Sequence, residues 1–132
     1  MTIVKFLIPM SVCLFCLSCD DKIPPEEAIL GKWMLIAYGP NERNLTYIEP
    51  DNNIYKEFHP NGTQSEYSPA LDATFYWTYR LDAKCLYINE DDEVNCRIFK
   101  YKLTGNRLKL TYVRGIVLGT VNTTIWIYKR KK

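Results

Sequence analysis

The sequence predicts an all-β fold, an antiparallel up-and-down meander of eight short strands preceded by a short helix or turn. Three observations lead to it. From Ile29 onward apolar and polar residues alternate with a period of two, the signature of half-buried strands. Tight clusters of Gly, Pro, Asn and Asp punctuate that pattern at short intervals. Aromatic residues reach 14%, ten of them tyrosines, a composition that favours strands over helices. A chain of 132 residues has room for one domain of ordinary size.

The first element is an address. Lys5 is followed by an uncharged apolar run, 6–17, which suits the core of a signal peptide and is too short to span a bilayer. Leu17-Ser18-Cys19 ends that run and resembles the end of a bacterial lipobox. The resemblance implies that 1–18 is a lipoprotein signal peptide and that Cys19 receives the lipid; the alternative is a plain secretory signal. Acyl chains on Cys19 would anchor the chain, since two or more chains exceed the marginal hold of one. The C-x-x-C-x-x-C run of Cys13, Cys16 and Cys19 is therefore signal sequence rather than a metal site. Asp20-Asp21 resembles the surface-export signal of Bacteroidetes lipoproteins, which leaves the periplasmic and surface faces of the outer membrane both open. Residues 19–28, with Pro24-Pro25, form a tether, and the barrel domain spans 29–132.

Eight strands follow, over 32–38, 54–59, 63–67, 74–80, 84–89, 94–103, 107–113 and 121–130. Residues 39–53 make the one long connection, able to cover one end of a barrel or to act as a lid. Parity ties the middle strands together. With Phe75, Trp77 and Tyr79 inward, a two-residue Asp82-Ala83 turn pairs Tyr79 with Leu86 and sends Leu86 and Ile88 inward. Even-length turns then carry the same face to Phe99, Tyr101 and Leu103, and on to Leu108, Leu110 and Tyr112. The opposite face carries Arg80, Lys84, Lys100, Lys102 and Lys109, a solvent face. Cys85 and Cys96 share that outer face at opposed or diagonal positions, and a disulfide between them is expected in an oxidising compartment.

Gly31-Lys32-Trp33 resembles the G-x-W opening of lipocalins. Phe58-His59-Pro60-Asn61-Gly62-Thr63 is similar to a hairpin of small lipocalin-like lipoproteins, and Trp126-Ile127-Tyr128-Lys129-Arg130 resembles their closing strand. This resemblance implies an eight-stranded lipocalin-like barrel rather than a sandwich. It also implies structural roles for Trp33, which closes the floor, and Arg130, which packs over its indole. A barrel of eight strands holds side chains or one small ligand. Trp77, Tyr79, Tyr101 and Tyr112 are the candidate ligand-binding residues, because rigid aromatics supply apolar contact and tyrosine keeps a hydroxyl for orientation.

The remaining chemistry is sparse. A formal charge of +2 does not call for nucleic acid, and a single His excludes a His-rich metal cluster. His59 has Glu57 as a strand neighbour but reads as a turn residue, and Glu90-Asp91-Asp92-Glu93 reads as a solvated hairpin tip. The expectation is a non-enzymatic envelope lipoprotein without cofactor or metal, in one of two roles. The first is a binding module for a small apolar or amphipathic ligand. The second is a subunit or inhibitor that docks on an envelope protein, for which the apolar Ile116-Val117-Leu118 is the candidate surface.

Overall fold

The structure, a computed structural model, describes residues 23–115 and 122–131. The expected signal peptide, Cys19, Asp20-Asp21 and Ile116-Val117-Leu118 lie outside the described residues. A one-turn helix, α1 (Pro25–Ala28), precedes β1 (Gly31–Gly39), β2 (Thr46–Tyr47), β3 (Tyr55–Phe58), β4 (Thr63–Ser68), β5 (Ala73–Leu81), β6 (Cys85–Ile88), β7 (Arg97–Thr104), β8 (Arg107–Arg114) and β9 (Ile125–Arg130). From β3 onward each strand pairs antiparallel with the next. β9 returns to β1, and β1 pairs with β3, closing an eight-stranded up-and-down barrel of lipocalin-like architecture. Closure leaves the ladder of these eight strands without a free edge.

All eight expected strands are present. The addition is β2, inside the long connection, which pairs with the far half of β1 through Ala37↔Tyr47 and Tyr38↔Thr46. Two residues could not be read as a strand from periodicity, because alternation needs a longer run to register.

The two ends of the barrel differ. At one end lie α1 and three tight turns, β3–β4, β5–β6 and β7–β8; we call it the floor. At the other, the mouth, lie the longer connections 40–54, 69–72 and 89–96. The core concentrates toward the floor, where Ile29, Trp33, Phe58, Leu86 and Leu108 are sealed from solvent.

The floor is held by polar contacts to the end of α1. A helix leaves its last carbonyls without intrahelical partners. Here Trp33 Nε1 donates to Ile29 O at 2.7 Å and Arg130 Nη1 to Leu30 O at 2.7 Å, while Arg130 Nη2 donates to Ala28 O. The same guanidinium lies 4.3 Å from the centroid of the Trp33 ring. Gly31 sits beside it at φ +108°, a backbone conformation that favours glycine, and a Cβ there would press on Arg130 Nη1 at 3.2 Å.

Inward parity runs through the middle strands as expected, with Leu81, Leu86, Ile88, Phe99, Leu108 and Leu110 all buried. The register differs by two. Tyr79 pairs with Ile88 rather than Leu86, because the two-residue turn is Ala83-Lys84, with Asp82 N–H donating to Cys85 O at 3.0 Å. Shifting a turn by one residue slides the pairing by two and preserves the face.

The expected Cys85–Cys96 disulfide is corrected by the same ladder. Both are free thiols. Cys85 pairs opposite Lys100, beside the floor, and Cys96 precedes β7 near the mouth. Four residues of extended strand separate the two levels, about 13 Å at roughly 3.3 Å per residue. A disulfide requires Cα atoms within about 7 Å.

A candidate ligand cavity at the barrel mouth

Above the packed floor the barrel is hollow. A cavity of about 840 Å³ opens at the mouth, where Asn52 of the long connection and Leu71 of the β4–β5 connection reach its edge. Leu35, Phe99, Leu110 and Trp126 form much of its apolar wall, and the Phe99 and Trp126 rings meet edge to face at 5.6 Å. Leu71 and Phe75 on the rim are 67% and 41% exposed.

The structure separates the four aromatic candidates by depth. Trp77 lines the cavity. Tyr79 belongs to the floor, where its ring packs edge to face on Phe58 at 5.0 Å and its hydroxyl donates to His59 O at 3.0 Å. Tyr101 is held there too, donating to Asp82 O at 2.7 Å. Tyr112 is near the mouth, but its hydroxyl is turned to Gly115 O at 2.8 Å, and it is not part of the cavity wall. Parity assigns a side chain to a face of the sheet; it does not give the height along the barrel axis, and height decides which aromatics face the void.

Three charged residues on the wall were not among the expected ones. Lys56, one inward position from Phe58, is only 6% exposed. It pairs across the ladder with Glu66, with Nζ 3.9 Å from Glu66 Oε2. Arg97 Nη2 approaches the same oxygen at 3.4 Å. Both cations also stand over aromatic faces, Lys56 Nζ 5.0 Å from the Tyr128 ring and Arg97 5.1 Å from the Trp77 ring. Extending the parity argument would have found them, since Arg97 is two residues before Phe99 and Lys56 two before Phe58.

Burial depresses the Lys56 ammonium below the usual lysine range; Glu66 opposes that shift and Arg97 adds to it. Burial pushes the Glu66 carboxyl up, but Lys56, Arg97 and a hydrogen bond from Gln64 outweigh it and hold the group below the ordinary carboxylate range. Burial pushes the Tyr128 phenol up, so it stays neutral. Two further polar atoms are buried without a hydrogen-bond partner among the described residues, Gln64 Oε1, opposite Phe58, and Trp77 Nε1 on the cavity wall.

Outside the barrel, His59 Nε2 lies 3.2 Å from Ser65 Oγ and Nδ1 lies 4.0 Å from Glu57 Oε2. The order Ser–His–acid is there in outline. The second distance exceeds hydrogen-bond reach, and the Ser65 residue is only 6% exposed, so the hydroxyl is shielded from a substrate. Two of the four acids at the hairpin tip are spent on internal contacts. Glu90 accepts from Arg80 Nε at 2.8 Å, and Asp92 accepts from the backbone of Val94 and Asn95. Among the described residues no group of three or more His, Cys, Asp or Glu side chains could hold a metal ion.

Compared with protein-family models and with curated proteins, the chain matches none. The barrel and its cavity therefore carry the functional argument by themselves.

Proposed function

We propose that this protein is a non-enzymatic binding module of the bacterial cell envelope, anchored through acyl chains on Cys19, whose barrel takes one small apolar or amphipathic ligand. The observation that carries the reading is the cavity of about 840 Å³, open at the mouth and walled largely by apolar side chains. That volume falls within the range typical of small-molecule sites, roughly 300–1,000 Å³. Trp77 is the natural reporter, since it is on the wall and its indole environment changes when the void fills.

Titration of the purified protein with a panel of fatty acids, sterols and aromatic metabolites, read by tryptophan fluorescence, tests this. At least one class is expected to quench saturably. Trp77→Ala should weaken that ligand about tenfold, the equivalent of some 1.4 kcal/mol of binding free energy. A flat response to the whole panel, confirmed by calorimetry, would overturn the ligand reading in favour of docking on an envelope protein.

A further inference from the structure

Resting on the ligand-binding reading above, we infer that the ligand is an amphipathic anion, whose carboxylate-type head sits by Lys56 and Arg97 and whose apolar tail runs toward the rim at Leu71. The cavity would not need charge if it took a neutral apolar guest. Burying a charged group is costly unless it is paired, and a barrel that only needed filling would carry leucine at these positions. Instead two cations converge on one carboxylate, Glu66, leaving a positive excess on a largely apolar wall.

Geometry sets the polarity of the guest. Neither cation makes a close, well-formed pair: the separations from Glu66 Oε2 are 3.9 and 3.4 Å, longer than charge-assisted hydrogen bonds of about 2.7–2.9 Å. Donor capacity therefore remains on both, and the Trp77 indole N–H lacks an acceptor among the described residues as well. An anionic oxygen pair supplies the acceptors these groups lack. The charged level is also the deep one. Lys56 is 6% exposed, whereas Leu71 at the rim is 67% exposed, so the head goes down and the tail up. Among the described side chains that line the cavity, Glu66 is the only carboxylate; it competes with an anionic head for Lys56 and Arg97, and the excess of positive charge disfavours a cationic head.

Matched amphiphiles separate this inference from the reading beneath it. Dodecanoate, dodecanol and dodecylammonium, each below its aggregation threshold, are titrated into the full-length protein by calorimetry. Dodecanoate should bind at least about tenfold more tightly than dodecanol, as hydrogen bonds to charged partners allow, and dodecylammonium most weakly. Lys56→Met should bring dodecanoate down toward dodecanol while leaving dodecanol unchanged or tighter. Glu66→Gln, which removes the competing carboxylate and keeps the shape, should tighten dodecanoate; it decides the matter even if Lys56→Met does not fold. Equal binding of dodecanoate and dodecanol, or indifference of dodecanoate to both substitutions, overturns the anion inference and leaves the cavity reading standing. Failure of all three amphiphiles and of the wider panel overturns both.

Discussion

Arg130 connects the last strand to the first helix, and its guanidinium is well chosen for that place. The planar fork donates to two carbonyls at the end of α1 while its face covers the Trp33 ring. Lysine offers a charge but neither the fork nor the flat face. Arg130→Ala should cost about 2–4 kcal/mol in a urea melt, because it removes the charged hydrogen bonds and the cation–π interaction together. Arg130→Lys should recover no more than about half of that, and full recovery would show that charge alone matters. Trp33 and Arg130 were legible in the sequence because a resemblance in motif pointed at them. Lys56, Glu66 and Arg97 were not, because a charged residue in a strand is ordinarily taken as solvent-facing. Only its spacing from Phe58 or Phe99 reveals that it points inward.

Hairpins carry the same lesson one level up. Strand existence and facing were readable because alternation over several residues leaves only two choices of face, and burial selects one. Turn position was not readable at β5–β6, where Asp82-Ala83 and Ala83-Lys84 give the same face and differ in register by two. The Cys85–Cys96 pairing failed on that class of ambiguity, since a disulfide needs the register of β6 and β7 and not merely the face. Asp82 shows what selects the observed turn. Its Oδ1 accepts from the N–H groups of Lys84 at 2.9 Å and Cys85 at 2.7 Å, and Oδ2 from the Tyr87 hydroxyl at 2.8 Å. The backbone bonds, Lys84 first, hold the Asp82 carboxyl below the usual range. A folded pKa below the unfolded one stabilises the fold fully above the ordinary carboxylate value, about 3.9, and is lost as pH falls through the lower folded value. Asp82→Asn should therefore lower the urea midpoint at neutral pH, and the difference from the native protein should shrink as pH is taken well below about 3.9. A difference independent of pH would place the effect in amide geometry rather than charge.

The barrel as a whole divides its labour between ends. The floor is packed and tied to α1, and the void opens at the opposite end beside the long connection, with Lys109 holding Glu42 of that connection at 2.6 Å. The chain enters at the floor, since α1 begins at Pro25 and Cys19 is five residues before Pro24. Five residues reach at most about 18 Å when fully extended, so a lipid on Cys19 would keep the floor near the bilayer and leave the mouth turned away from it. On the proposed function, anchor and cavity would then be independent, one at the membrane and the other open to the aqueous side. Cys19→Ala should abolish metabolic labelling with a palmitate analogue and move the protein from the membrane to the soluble fraction. Because the described chain enters at the floor and Trp77 lines the cavity above it, saturable quenching by the same ligand should survive at unchanged affinity. Persistent membrane association of Cys19→Ala would refute the lipid anchor. Loss of quenching in a folded Cys19→Ala protein would instead show that the two ends are coupled.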